Sequence, residues 1–181
     1  MKAAKPHFLY SAALAAGMAI TVGTALAFEH LGGFIPCKLC LEQRIPYYAG
    51  IPLMLLAAVL SATGRTPALV RLLLAAGAAL MLWGLVLAVY HSGVEWQWWA
   101  GPDDCGIGGA SPAGSGQGVL DLLDEVVPPA CDQAAGRFLG LSFAGWNALA
   151  SLVLAAIAIA GALHGGRRSS GMPQGSSSAS Q

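Results

Sequence analysis

The sequence predicts an all-α membrane protein in which four transmembrane helices form a bundle. Of its 181 residues, 56% are hydrophobic and only 10% are charged, whereas soluble domains carry about 25% charged residues. Four long apolar runs each approach or exceed the ~18–20 residues that cross a hydrocarbon core. Because lipid cannot satisfy backbone amides, such runs are expected to be helical. They are 8–28, 45–62, 69–90 and 142–163.

The first run also has features of a secretory signal. Basic residues precede it, and an Ala-Leu-Ala sequence stands near its end. Its apolar stretch is long for a signal peptide and further spans follow, so we favour a retained helix. Either alternative would deliver residue 29 onward to the far side of the membrane.

The second run is the shortest and carries two prolines. Pro46 fits the first turn of a helix, whereas Pro52 is expected to kink it because proline lacks a backbone donor. Arg71 stands in the first turn of the third run, where its side chain can reach the interface. The runs are rich in alanine and glycine, which allows close helix packing in lipid.

Charge divides the chain into two kinds of segment. The N-terminus, the loop after the second run and the C-terminal tail contain lysine and arginine but no acid, and all nine acids lie in the other two loops. The positive-inside rule counts lysine and arginine. We therefore expect both termini in the cytoplasm, with the loops 29–44 and 91–141 outside.

The longer outer loop has two further features. Within it, 119–127 (VLDLLDEVV) has apolar residues at helical spacing and is predicted to form a short amphipathic helix. Four tryptophans flank the loop as an interfacial aromatic belt would: Trp96, Trp98, Trp99 and Trp146. Beyond the last run, the Gly- and Ser-rich tail 165–181 is predicted to be disordered.

All four cysteines fall in the two outer loops, on the side where disulfides persist. They are Cys37, Cys40, Cys105 and Cys131. Structural disulfides are one interpretation, although a Cys-x-x-Cys pair closes too small a loop to restrain much chain. A metal site is another, but the second pair is widely spaced and the histidines are scattered over both sides, so we expect no metal.

A redox role is the third interpretation. The first pair lies in the stretch PCKLCLEQR, residues 36–44, and a cation beside a Cys-x-x-Cys favours a nucleophilic thiolate. Thiol–disulfide exchange passes two electrons at a time, so two pairs on one side could form a relay. The relay needs a terminal acceptor, and the edge of a bilayer gives access to a lipid-soluble one, which suggests a quinone.

Three stretches resemble the DsbB family of bacterial inner-membrane proteins, which reoxidise the periplasmic thiol oxidase DsbA. They are PCKLCLEQR followed by PYY, then YHSGVEWQWWAGPDDC, then ACDQAAGRFLGLSFAGW. The resemblance covers roughly residues 8 to 163. It implies an inner-membrane, quinone-dependent protein-disulfide oxidoreductase that supports disulfide formation and protein folding. The implied cofactor is ubiquinone or menaquinone and the implied partner a DsbA-like oxidase, with no nucleic acid.

The resemblance also implies roles for individual residues. Cys37 and Cys40 match the pair next to the quinone, with Cys40 facing the ring as a thiolate. Cys105 matches the cysteine that forms the mixed disulfide with the partner, and Cys131 the one that then exchanges with Cys37. Three further positions are implied near the quinone, the last of them a place where some relatives carry glutamine: Arg44, His91 and Glu95. The Arg44 guanidinium is always charged and is expected to stabilise both the Cys40 thiolate and negative charge on a quinone oxygen.

Two alternatives stay open from the residues alone. A vitamin K epoxide reductase-like enzyme is also a small helical bundle with a Cys-x-x-Cys and a quinone. In that family the loop cysteines precede the active pair, whereas here they follow it, and the order favours the DsbB family. The other alternative is a non-catalytic membrane protein with structural disulfides or a bound metal.

Overall fold

The computed structural model describes residues 4–64, 67–102 and 130–164. Its elements, in chain order, are α1 (Ala4–His30), α2 (Lys38–Glu42), α3 (Ile45–Ala62), α4 (Pro67–Glu95), β1 (Arg137–Phe138), β2 (Leu141–Ser142) and α5 (Phe143–Leu163). The helical spans α1, α2–α3, α4 and α5 are each long and apolar enough to cross a membrane. The predicted all-α four-helix membrane fold is therefore confirmed. The segment 119–127, the tail and Cys105 lie outside the described residues.

The bundle is built by packing α4 against α3 and α5, and α1 against α3 and α5. Its core holds fully buried methionines from three helices, Met18, Met54 and Met81, whose flexible side chains fill irregular gaps between helices. Many large aliphatic side chains on the outer faces are exposed, among them Ile20 and Leu72. Such faces are expected where lipid replaces water as the solvent.

The short helix α2 begins at the cysteine motif. Cys37 caps it with extended backbone, and its sulfur accepts a hydrogen bond from the Cys40 amide at 3.3 Å. Pro46 occupies the first turn of α3, and the helix continues through Pro52 to Ala62. The cysteine motif is therefore held at the N-terminal end of α3, where α2 contacts α4.

A two-stranded hairpin, which the sequence analysis did not include, leads into α5. Arg137 pairs with Ser142, and Phe138 with Leu141. The two turn residues between the strands both have positive φ, +53° at Leu139 and +84° at Gly140. This is the pattern of a type I′ hairpin turn, whose twist matches the flanking strands.

The last turn of α4 is covered by a tryptophan that folds back on it. The Trp99 ring stacks on Tyr90 with centroids 6.1 Å apart and an interplanar angle of 7°. Its indole N–H donates to the Tyr90 carbonyl at 2.9 Å. Gly93 provides the space for this ring, because a Cβ there would overlap it.

Gly93→Ala is accordingly expected to destabilise the protein. Displacing the Trp99 ring is overpacking, which costs about 1–3 kcal/mol and outweighs the ~0.5–1 kcal/mol that alanine gains over glycine in a helix. Thermal unfolding in detergent measures the difference. Gly23→Ala is the matched control, because a Cβ at Gly23 meets nothing within 4 Å, and its midpoint should rise. A higher midpoint for Gly93→Ala would contradict the packing argument.

Candidate functional site

The two motif cysteines lie side by side where α2 begins. Both are free thiols, and their sulfurs are 2.6 Å apart. A disulfide bond is about 2.0 Å long, so the pair can close or open with little movement of the backbone. The motif is therefore arranged for reversible oxidation.

The two thiols differ in how readily they lose a proton. The pKa of the Cys37 thiol is raised well above its usual range, first by its hydrogen bond with Cys40 and second by burial. Cys37 is only 4% exposed. In a singly ionised pair the proton therefore stays on Cys37, and the negative charge falls on the Cys40 sulfur.

The two cysteines also face different neighbours. Cys37 belongs to a buried cluster with Leu39, Val94 and Cys131. Cys131 is 1% exposed and disulfide-bonded. Cys40 packs against this cluster and also lines a cavity, whereas Cys37 is not among the described residues that line it. Of the two motif cysteines, Cys37 is therefore the one buried within the cluster that holds Cys131, and Cys40 is the one that reaches the cavity.

The cavity has a volume of about 500 Å³, within the ~300–1,000 Å³ usual for small-molecule sites. Its walls are mostly apolar, and α1, α3, α5 and the segment before α5 contribute to them. Three phenylalanines of the wall contact one another with centroids 4.9 to 6.0 Å apart: Phe28, Phe34 and Phe143. A planar, lipid-soluble molecule fits such a lining.

Arg44 is the cationic side chain among the described residues of the cavity wall. Its guanidinium forms an ion pair with Glu29, at the end of α1. The Arg44 side chain is 12% exposed and the Glu29 side chain 25%. An arginine has five N–H donors, so the ion pair orients the group and leaves donors for a ligand.

His91 stands between the motif and the cavity. Its Nε2 lies 3.7 Å from the Cys37 sulfur, and its Nδ1 lies 2.6 Å from the Gln43 amide nitrogen. The ring also hydrogen-bonds the backbone of Cys131. His91 therefore contacts both cysteine loops and lines the cavity as well.

Glu95 lies one turn further along α4, beside His91. One carboxylate oxygen is 3.8 Å from His91 Nε2, and the side chain is 4% exposed. The other oxygen has no hydrogen-bond partner among the described residues. Glu95 is not one of the described residues that line the cavity.

A set of polar side chains that the sequence analysis did not single out supports His91. Gln43 accepts a hydrogen bond from Asn147 at 2.6 Å, and Asn147 accepts one from the Tyr47 hydroxyl at 2.6 Å. Asn147 was detectable, since it is the chain's single asparagine and stands inside an apolar run, where polar groups are costly. Glu29 was counted among the nine acids of the outer loops, but its ion pair with Arg44 was not predicted.

A metal ion is the competing occupant of the cysteine motif. The ligand atoms of Cys37, Cys40 and His91 lie within 4.8 Å of one another. Two thiolates on one tetrahedral zinc would stand about 3.8 Å apart, given Zn–S bonds of ~2.3 Å. The observed 2.6 Å between the sulfurs suits a dithiol–disulfide couple instead.

Comparison with known proteins identifies the family of the chain. The family model described as "Disulfide bond formation protein DsbB" matches residues 8–161. Disulfide bond formation protein B 2 of Pseudomonas putida is 33% identical over 135 residues, covering 71% of this chain and 74% of that protein. No solved structure matches the chain. The resemblance inferred from the motifs is confirmed, and this multi-pass membrane protein belongs to the DsbB family of disulfide bond formation proteins.

Proposed function

We propose that the chain reoxidises a DsbA-like thiol oxidase in the periplasm and passes the two electrons to a quinone in the bacterial inner membrane. The observation that carries the proposal is the difference in surroundings between the two motif cysteines. Cys37 is buried with Cys131, whereas Cys40 opens on the apolar cavity beside Arg44. Both termini would then be cytoplasmic and all four cysteines periplasmic.

The thiol steps can be written with bonds and electrons balanced. A partner thiolate attacks Cys105 of a Cys105–Cys131 disulfide, and Cys131 leaves as a thiolate. The partner's second thiolate then displaces Cys105, which completes the partner's disulfide. The two electrons now reside on Cys105 and Cys131. Thiolate character and access govern each such exchange.

The second exchange moves those electrons across the motif. Cys131 attacks Cys37 of the Cys37–Cys40 disulfide, and Cys40 leaves as a thiolate toward the cavity. Cys105 then attacks Cys131 and releases Cys37, which restores the Cys105–Cys131 disulfide. The buried cluster that contains Cys37 and Cys131 supports this order.

The cavity fits a quinone by its apolar walls and by the donors at one end. Arg44, His91 and Gln43 would hold it there, because all three line the cavity with Cys40. When bound, the quinone would supply an acceptor for two electrons and two protons. Glu95 would act through His91, since its carboxylate lies beside that ring. Ubiquinone and menaquinone both meet these requirements.

Purified protein with a reduced DsbA-like partner and a soluble quinone analogue tests the proposal. We expect the quinone absorbance to fall in proportion to the partner disulfide formed. Partner oxidation without quinone reduction would overturn the proposal. In sealed right-side-out vesicles, a membrane-impermeant thiol reagent added outside should label reduced Cys105, and labelling only from the cytoplasmic side would overturn the orientation.

Arg44→Ala is expected to raise KM for quinone by about 10- to 100-fold and to change KM for the partner thiol less than twofold. A charge-assisted hydrogen bond contributes about 1.5–3 kcal/mol, which corresponds to that range. Steady-state rates at varied quinone and varied partner separate the two constants. Arg71→Ala is the control, because Arg71 bonds the Ala162 carbonyl at the other end of α4. Equal increases in both constants would contradict the assignment.

A further inference from the structure

A continuous chain of hydrogen-bonded side chains runs through the bundle to His91. Ser151 and Tyr47 are joined at 2.9 Å, Tyr47 and Asn147 at 2.6 Å, and Asn147 and Gln43 at 2.6 Å. Gln43 then meets His91 Nδ1 at 2.6 Å. The chain links α5, α3 and α4, and Ser151 and His91 at its two ends are buried.

Side-chain amides and hydroxyls could be hydrogen-bonded in either direction along such a chain. Turning over both amides would reverse every donor and acceptor and leave the distances unchanged. One backbone group removes this ambiguity. The Leu39 carbonyl lies 3.3 Å from the Gln43 amide nitrogen, and a carbonyl can only accept. The N–H₂ end of Gln43 must therefore face both Leu39 and His91.

The direction of the chain decides which ring nitrogen of His91 carries the proton. Because Gln43 donates, Nδ1 must accept, and a neutral ring then has its hydrogen on Nε2. Nε2 is the nitrogen that lies 3.7 Å from the Cys37 sulfur. The ring also hydrogen-bonds the Cys131 backbone, and because Nδ1 is occupied by Gln43, Nε2–H must donate this bond, next to the Cys37 sulfur.

We propose that Asn147 is a positioning residue that, through Gln43, holds His91 in the Nε2–H tautomer, with that proton between the Cys131 backbone and the Cys37 sulfur. The tautomer itself does not depend on the proposed function; only its role in thiol exchange rests on that function. In the exchange that restores the Cys105–Cys131 disulfide, Cys37 is the leaving sulfur. A thiol with a high pKa leaves slowly, and the hydrogen bond with Cys40, together with burial, raises the pKa of Cys37. An N–H from His91 next to the Cys37 sulfur would stabilise the leaving thiolate and so compensate for its high pKa.

Asn147→Asp tests the proposal with almost no change in shape. A carboxylate at this position can only accept, so it faces the Gln43 oxygen with no hydrogen between them. The Gln43 amide then turns over at the expense of its bond to Leu39, and its oxygen faces His91 Nδ1. We expect the His91 ring to shift from the Nε2–H toward the Nδ1–H tautomer.

Nitrogen-15 spectra of the reduced protein, with ring-labelled histidine in detergent micelles, report the tautomer directly. His91→Ala identifies the signal. Ser61→Ala is the control, since Ser61 is a buried polar residue that bonds only within α3, to the Ala57 carbonyl, and it should leave the His91 signal unchanged. An Nδ1–H or doubly protonated His91 in the unaltered protein would overturn the proposal. So would an Asn147→Asp spectrum identical to that of the unaltered protein.

Turnover measurements distinguish positioning from a general structural role. Asn147→Asp should slow partner oxidation about tenfold, less than the ~10²–10⁴-fold typical of removing a catalytic acid. In a His91→Ala background the same change should cost less than about twofold, because coupled residues are non-additive. An equal loss in both backgrounds would overturn the proposal. If the unaltered protein did not reduce quinone, the proposed function would fail while the tautomer result stood.

Discussion

Cys40→Ser is expected to stop steady-state quinone reduction, with a loss of at least about 10³-fold, as when an enzyme's nucleophile is removed. Cys40 is the motif sulfur that lines the cavity, and a serine hydroxyl cannot carry electrons. The Cys105–Cys131 pair remains in this variant. It should therefore oxidise one equivalent of reduced partner and then stop.

The single turnover serves as the internal control for Cys40→Ser. Mixing the variant with excess reduced partner and counting partner disulfides shows whether the protein is folded and competent in its first step. One equivalent with no quinone absorbance change is the expected result. Sustained quinone reduction would contradict the assignment of Cys40 as the sulfur that serves the cavity.

Cys105→Ala is expected to produce the opposite defect. Without the sulfur that engages the partner, partner oxidation should fall to the uncatalysed rate. The Cys37–Cys40 pair is intact, and its sulfurs remain 2.6 Å apart beside the cavity. After reduction by a small dithiol and its removal, the pair should be reoxidised when quinone is added, as thiol alkylation and mass measurement would show.

A double variant is the control for the Cys105→Ala experiment. A Cys105→Ala, Cys40→Ser double variant should lose the quinone-driven reoxidation as well, which assigns it to the motif pair. Loss of reoxidation in Cys105→Ala alone would contradict the proposed order of the relay. Together the two single variants divide the reaction into a partner half and a quinone half.

The fold was largely predictable because lipid imposes a simple requirement on sequence. Apolar runs long enough to cross a bilayer must be helices, and all four runs have that length. The hairpin before α5 was not predictable in the same way. Its strands have only two residues each, and Leu139, which adopts positive φ, is not a residue that usually signals a turn.

The site was predictable only in part, and the reason is geometric. The Cys-x-x-Cys spacing and the nearby Arg44 are local in sequence, so a motif can identify them. The contact between Gln43 and Asn147 joins residues 104 positions apart and depends on how the α2–α3 span and α5 are rotated in the bundle. Nothing in the period of either apolar run specifies that rotation. The sulfur chemistry of the site was therefore indicated by the motif, whereas the side chains that hold His91 in place were identified only from the structure.

The different surroundings of the two motif sulfurs have a consequence for which thiols can pass electrons to the respiratory chain. If the protein works as proposed, the water-soluble reductant reaches the site through Cys131, and the lipid-soluble oxidant reaches it through Cys40. The buried Cys37 would then keep small periplasmic thiols from reducing the lipid-soluble carrier directly. Electrons would pass two at a time and only by exchange of sulfur partners, so the respiratory chain would be drawn on by the partner oxidase alone.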